Sequence, residues 1–295
     1  MIIVFGSINL DLIFTMPELP VPGQTLLARA ARIEPGGKGA NQAVAAARDG
    51  AQVVLAGAVG HDALADAALS GVLGAGIDVT RLARVEATTG CASIMTDAGG
   101  RNSIAVAAGA NMLARADQVE DAILTPQSIV LLQMETDPDE TIALTRRAKL
   151  RGAKTILNLA PALPMSKDAL ALLDLLIVNE DEAAFLGQAF GSGADAASLH
   201  KTLGVAVLRT LGAAGAEAVS NGEMFRIPGR AIDCLDSTAA GDGFTGVLAA
   251  SLDRGLGLEA AMVRANAAAA LACTRRGSQG SLPMQADIDA FIAAA

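Results

Sequence analysis

The segment Asp236-Ser-Thr-Ala-Ala-Gly-Asp242-Gly-Phe-Thr-Gly-Val-Leu-Ala-Ala-Ser251 decides how the rest of the chain is read. It opens on small and polar residues, carries Gly241 near its middle and runs on as an apolar, alanine-rich stretch predicted to be helical. Backbone N–H groups at a helix start have no partner inside the helix and carry partial positive charge. Ala239, Ala240 and Gly241 have little or no side chain, so an anion can approach that backbone closely. Asp242 then puts a carboxylate beside the same anion site, where it would repel a phosphate unless it had another task. Accepting the proton of a hydroxyl that attacks the phosphate is such a task. An Asp capping an ordinary helix is the alternative, and this segment alone does not separate the two.

Working outward, residues 117–252 alternate helix and strand. Helices are predicted at 117–124, 138–150, 180–187, 195–203 and 242–253, with a short one near 166–173. Strands are predicted at 128–134, 154–159, 175–178, 205–210 and 216–220. Such alternation implies α/β architecture, a mostly parallel central sheet with helices on both faces. Polar residues follow several of these strands: Glu135, then Asn179 with Glu182, then Thr210 and Gly212. Each alone reads as a cap or turn residue, but together they line the carboxyl edge where open α/β sheets bind ligands.

The first half begins with an apolar run at 2–8, a strand buried on both faces, with Asn9 and Asp11 at its end. Residues 12–34, with the alternating stretch 25–33, and the segments 89–96 and 102–107 around the turn Asp97-Ala-Gly-Gly100 predict a second, small β-sheet inserted into one α/β domain spanning 1–295, its parts at about 10–34 and 89–107. Between them stands Glu34-Pro-Gly-Gly-Lys-Gly-Ala-Asn-Gln42, followed by a helix predicted at 43–49. It is not a P-loop, which requires Ser or Thr after the lysine where this chain has Gly39. A ligand loop and a plain glycine turn both fit. Further elements are a strand at 53–59, a helix at 63–73 capped by Asp62, and helices at 258–273 and 285–293.

Composition narrows the function. Hydrophobic residues make up 52% of 295 and charged ones 18%, which supports a large core and argues against disorder. Aromatics are 2%, with no Trp or Tyr, so the chain lacks platforms for stacking bases; with a net charge of −9, nucleic acid and anionic membranes are disfavoured as partners. Cys91, Cys234 and Cys273 are far apart in sequence with no CxxC pair, and neither His61 nor His200 has a spaced metal-ligand partner. With no signal-peptide pattern and no uninterrupted apolar run of spanning length, the protein is expected to be soluble and cytoplasmic.

Three segments together resemble the ribokinase-like (phosphofructokinase-B) carbohydrate kinases: Gly6-Ser-Ile-Asn-Leu-Asp11, Gly36-Gly-Lys-Gly-Ala-Asn-Gln42 and Asp236-Ser-Thr-Ala-Ala-Gly-Asp242. The similarity runs from the first strand to Thr274-Arg-Arg-Gly-Ser-Gln-Gly-Ser-Leu-Pro283, and Leu132-Gln-Met-Glu135 and Gly109-Ala-Asn111 are most like the ribose-phosphorylating branch. The resemblance implies transfer of the γ-phosphate of ATP to a sugar hydroxyl, O5 of D-ribose on this branch. A kinase of another sugar or of a nucleoside, with Ile94, Met95 and Ile104 of the small sheet against the base, is the alternative within the family. A non-catalytic sugar-binding protein on the same fold is a third reading, which the complete set of site residues disfavours.

By the same resemblance Asp242 is the base, and Ala239, Ala240 and Gly241 form the anion hole. Asn9, Asp11, Gly37, Lys38, Asn41 and Glu135 hold the sugar under the small sheet as a lid. Asn179, Thr210, Gly212, Gly241 and Asn266 are implied on the nucleotide side, with Glu182 organising Mg²⁺ through water. An activating monovalent cation, K⁺, is implied at Asp236, Thr238, Ala272, Arg275, Gly277 and Ser281. A homodimer through the lid is expected as well. Gly243, His61 and Ala239 depart from the residues more usual in the family and leave the preferred sugar open.

Overall fold

A computed structural model describes residues 1–99 and 101–294. Gly100, at the end of the predicted hairpin turn, and Ala295 lie outside the described residues. Every residue of the first strand, β1 (Ile2–Phe5), is buried, and its alternate side chains enter two different cores. Ile2 and Val4 pack on one face of the sheet, Ile3 and Phe5 on the other. That two-sided burial is why the strand is apolar throughout instead of alternating.

The remaining strands are β2 (Asn9–Thr15), β3 (Ala30–Gly36), β4 (Val53–Gly60), β5 (Asp78–Val85), β6 (Gly90–Thr96), β7 (Asn102–Ala107), β8 (Ile129–Leu132), β9 (Lys154–Asn158), β10 (Leu175–Val178), β11 (Ala206–Thr210), β12 (Gly215–Ser220) and β13 (Glu223–Pro228). The helices are α1 (Lys38–Arg48), α2 (Ala63–Gly74), α3 (Pro138–Arg151), α4 (Lys167–Leu170), α5 (Glu180–Phe190), α6 (Ala196–Leu203), α7 (Ala240–Asp253), α8 (Leu258–Cys273) and α9 (Gln285–Ala293). The large sheet has nine strands in the order β13-β12-β11-β10-β9-β8-β1-β4-β5, parallel from β5 to β11 and antiparallel at β12 and β13. Helices α1, α2, α7 and α8 cover the Ile2/Val4 face, and α3, α5 and α6 cover the other. The chain steps from β1 to β4 and β5, then returns to β8 on the opposite side of β1, so strand order reverses there. A crevice at such a reversal, outside the carboxyl ends of the strands, is where an open α/β sheet holds its ligand.

The small sheet, predicted from the sequence, has four strands in the order β3-β2-β6-β7. Several boundaries differ from those predicted, each for a local reason. The apolar run at 2–8 breaks at Gly6, where a Cβ would lie 1.9 Å from Gln133 Oε1 and 2.8 Å from Gly39 Cα. The chain therefore leaves the large sheet early, and Asn9 and Asp11 belong to β2 instead of ending β1. The alternating stretch 25–33 is a strand only from Ala30. The helix predicted at 43–49 already begins at Lys38.

No α-helix forms at 117–124; two 3₁₀ turns, Ala116–Gln118 and Asp121–Ile123, stand there. Arg147 on α3 donates to the carbonyls of Ala116 (2.7 Å) and Val119 (2.7 Å), occupying acceptors that an α-helix would have used. Strands β5 and β13, both at the sheet edges, have no counterpart in the sequence reading. Residues of β5 are mostly half-exposed and those of β13 mostly exposed, and both mix charge with apolar groups, so neither alternation nor an apolar run stands out.

Candidate active site

Two glycines bring the site together. Gly39, in the first turn of α1, lies so close to β1 that a Cβ there would be 2.5 Å from Ser7 N and 2.6 Å from Gly6 C. Gly246 does the same between α7 and α1, with a Cβ 2.4 Å from Gln42 O and 2.6 Å from Ala45 Cβ. This double approach places the start of α7 against the start of α1. Asp242 Oδ2 accepts from Asn41 Nδ2 at 2.9 Å, and its Oδ1 accepts from Gln42 Nε2 at 3.0 Å. Gln42 Nε2 also donates to Asn158 Oδ1 (3.0 Å), while Gln42 Oε1 accepts from Gln133 Nε2 (2.7 Å). The Asp242 carboxylate is thus oriented by amides anchored at the carboxyl ends of β8 and β9, and it is itself buried.

Helix α7 begins with Ala239 as N-cap and no capping side chain. Helices α2, α3, α5 and α6, by contrast, are capped by Asp62, Asp137, Asn179 and Asp195. The N–H groups of Gly241 and Asp242 find no acceptor among the described residues. Unpaired amides at a helix start favour an anion. A cavity of about 140 Å³ opens there, lined by Lys38, Asn158, Asn179, Glu182, Thr210, Thr238, Gly241 and Asp242, among others. It shares Thr210 and Gly241 with a larger cleft of about 620 Å³ that reaches Gly212, Asn266, Cys234 and Cys273. Asn266 Nδ2 is tied to Pro228 O at 2.9 Å.

On the other side of Asp242, Ser7 Oγ donates to Glu135 Oε2 at 2.6 Å, and the Lys38 amide reaches the same oxygen at 3.2 Å. Asn9 Oδ1 accepts from Asn111 Nδ2 (2.7 Å), whose own Oδ1 takes the Ile8 N–H (2.9 Å). Gly36 leaves the space that the Asp11 carboxylate occupies: a Cβ there would be 2.1 Å from Asp11 Oδ2. Burial, then the neighbouring Glu135, Glu34 and Asp242, push Asp11 up to about 7, against a hydrogen bond from Ser278. For Lys38, burial works against the ammonium, but Asp242, Glu135, Glu182 and Asp11 outweigh it and hold its pKa above the ordinary value. Glu182 is raised by burial, opposed by the Asn179 N–H and Lys38. One cation among several carboxylates therefore stays charged at the junction of the two sides.

The implied cation residues are only partly gathered. Asp236 accepts from Thr238 N (3.0 Å), from the Thr238 hydroxyl and from Gly277 N (3.0 Å). Burial raises its pKa, yet these donors and Arg32 hold it below the usual carboxylate range. Ser281 Oγ donates to Ser278 O (2.8 Å) in the same loop, Ala272 O accepts the Arg275 N–H (3.1 Å), and the Arg275 guanidinium turns to Asp287 (3.1 Å). The donors available there are carboxylate, hydroxyl and carbonyl oxygens, which suits a hard monovalent cation.

Comparison with known proteins gives the family. The pfkB family carbohydrate kinase pattern matches residues 1–285. The chain belongs to that family. A ribokinase of Haemophilus influenzae is 35% identical, over 98% of this chain and 97% of its own. The crystal structure of a Thermotoga maritima ribokinase has a TM-score of 0.92 at 32% identity, covering 99% of each chain. The Arabidopsis thaliana ribokinase complexed with ribose and ATP has a TM-score of 0.88 at 29% identity, covering 99% of this chain and 98% of that one. In this sugar kinase Asn41, Lys38, Glu135 and Asp11 stand near Asp242, and Asn179, Glu182, Thr210, Gly212 and Asn266 line the two cavities beside it, while Asn9 is tied to Asn111.

The sequence reading passes over Ser7, Gln42, Gln133, Asn111 and Asn158, which set the orientation of the residues it does select. All but Asn158 stand inside or beside quoted motifs, so motif membership is the available signal; Asn158 closes a strand with no motif around it.

The raised Asp11 carries a prediction. An unfolded Asp titrates near 4, so the folded protein binds the extra proton, and stability falls as pH rises from about 4 to about 7. Asp11→Asn is expected to stabilise the sugar-free protein by about 2–4 kcal/mol at pH ~8 and to match the parent near pH ~4. Thermal melts across that range check it; equal Tm values at the alkaline end would count against the assigned environment.

Proposed function

We propose that the protein is an ATP-dependent ribokinase that transfers the γ-phosphate of ATP to O5 of D-ribose. The observation that carries this reading is the position of Asp242. It stands in the first turn of an uncapped helix, at the wall of the small cavity, with its carboxylate turned by Asn41 and Gln42. Sugar hydroxyls both donate and accept, and Asn9, Asp11, Asn41, Glu135 and Lys38 offer both capacities on the side toward the small sheet. That sheet then serves as a lid over the sugar. The nucleotide base takes the larger cleft along Thr210, Gly212 and Asn266, and the phosphates lead past Gly241 into the small cavity.

In the reaction, Asp242 accepts the proton of the attacking hydroxyl while that oxygen forms a bond to the γ-phosphorus and the bond to the β,γ-bridging oxygen breaks. The N–H groups of Gly241 and Asp242, with Ala239 and Ala240 as small neighbours, and the Lys38 ammonium face the charge on the transferring group. No cluster of three His, Cys, Asp or Glu side chains suited to a metal occurs among the described residues. Mg²⁺ would therefore come with the nucleotide and water, Glu182 and Asn179 holding that shell, and would neutralise phosphate charge. K⁺ would sit in the Asp236–Gly277 loop cluster and order the start of α7. The test is ADP release with Mg-ATP across a panel of sugars and nucleosides, with K⁺ or a bulky organic cation. The highest kcat/KM on D-ribose, raised by K⁺, is expected. Preference for another sugar or a nucleoside would move the substrate, and indifference to K⁺ would remove the cation.

The lid also supports a homodimer. By register Asp11, Ala92 and Val106 share a row, and Ile13, Ile94 and Ile104 the next row on the same face. Val106 and Ile104, on edge strand β7, are 51% and 55% exposed, so an identical lid could cover apolar surface beside the sugar. Light scattering at micromolar concentration is expected to give twice the chain mass; a monodisperse monomer refutes it. No helix among the described residues is long and apolar enough to cross a membrane.

A further inference from the structure

Cys234 precedes α7 and Cys273 ends α8, so the whole α7–α8 hairpin separates them in sequence, yet both line the larger cleft. The residues that follow Cys234 bond to Cys273: Leu235 N and Asp236 N both donate to Cys273 O, at 2.8 Å and 3.2 Å. Both side chains line the same stretch of the cleft wall. Cys234 is exposed and Cys273 half-buried behind it, and both are free. Ser237, Ala240 and Gly241 follow Cys234 within the same cleft wall. A disulfide needs its two Cα atoms within about 7 Å, and a direct backbone hydrogen bond beside both cysteines brings the two segments into that neighbourhood.

We propose that Cys234 and Cys273 form a reversible thiol–disulfide modification site in the wall of the cleft, its co-substrate being a low-molecular-weight disulfide. The exposed Cys234, as thiolate, attacks one sulfur of the small disulfide; a Cys234–S bond forms, the small S–S bond breaks and one thiolate leaves with a proton. Cys273 then loses its proton and attacks Cys234 Sγ, expelling the second small thiol. Both cysteines are oxidised by two electrons in total, and the small disulfide is reduced to two thiols. A dithiol reverses the sequence. In a reducing compartment such a bond is a switch and not a structural staple. The bridge pins the loop that leads into the start of α7 against the end of α8 and brings sulfur across the cleft wall. The expected consequence is a rise in KM for ATP of about tenfold. That consequence rests on reading the cleft as the nucleotide site; the bridge itself does not.

The experiment treats the whole protein with oxidised glutathione, then maps peptides without reduction and counts thiols. Loss of two of the three thiols, with a peptide linking Cys234 to Cys273, is expected in the parent, and loss of both remaining thiols with the same linked peptide in Cys91→Ser. ATP KM is read on the same samples before and after oxidation and again after dithiothreitol, and in Cys234→Ser with and without oxidant. The parent should shift and recover, and the Cys234→Ser protein should be indifferent to the oxidant. A bridge without any change in ATP KM overturns the switch but leaves the site. A stable mixed disulfide on Cys234 alone, an intermolecular bridge, or three unreacted thiols overturns the site.

Discussion

Replacing Asp242 by Asn is expected to lower kcat about 100- to 10,000-fold while leaving the sugar Kd within a few-fold and the Tm near that of the parent. The reason for so clean a separation lies in the amides around it. The substituted side chain would present one oxygen and one NH₂ group where the carboxylate offers two acceptors to Asn41 and Gln42. Gln42 cannot turn over, because its Oε1 holds Gln133 Nε2. Asn41 can: its Oδ1 is buried with no hydrogen-bond partner among the described residues, so a flipped Asn41 amide accepts from the new NH₂ group. The fold therefore accommodates the substitution and only the proton acceptor is lost. Steady-state kinetics with ribose and ATP, alongside a thermal melt and sugar titration, give the answer. Turnover like the parent's would sink Asp242 as the base.

The second large effect is expected from a residue that touches no ligand. Gly246→Ala places a methyl 2.4 Å from Gln42 O, 2.6 Å from Ala45 Cβ and 3.0 Å from Ala46 N. Two of those atoms belong to the helix backbone and cannot rotate away, so α7 and α1 must move apart. Overpacking of this kind costs about 1–3 kcal/mol, and a Tm lower by several degrees should follow. Because Gln42 is also the amide that orients Asp242, kcat should fall up to about 100-fold, the scale set by a misplacement of about 1 Å. A melt and an ATP-ribose assay on the same preparation test both. If Tm falls and kcat does not, the α1–α7 spacing does not position Asp242.

The mutual dependence of these two residues shows what the chain alone can and cannot reveal. Asp242 is legible because its chemistry is local: small residues, a helix start and a carboxylate, all within one segment. Gly37, Gly39 and Lys38 are legible for the same reason, as are the polar groups at strand ends, since alternation of strand and helix dictates a parallel sheet with one ligand-binding edge. Gln42, Gln133, Asn158 and Asn111 are not. An amide becomes an orienting group only through partners brought from other elements, as Gln42 is by residues 91, 116 and 200 positions away.

The boundaries divide in the same way. The long apolar helices α7 and α8 and the doubly buried strands announce themselves, because burial on a fixed face imposes a period on the sequence. The 3₁₀ turns at 116–123 do not, because Arg147 on a different element takes their carbonyls. Nor does the proximity of Cys234 to Cys273, which their spacing in sequence hides and which the hairpin of α7 and α8 creates. By itself the sequence determined the α/β class, the family, the helix start suited to an anion and the carboxylate beside it, since each follows from neighbours along the chain. Tertiary structure alone decided which amides turn Asp242, how far Asp11 is pushed up and which cysteines share the cleft wall, because these depend on burial and on contacts between residues distant in sequence.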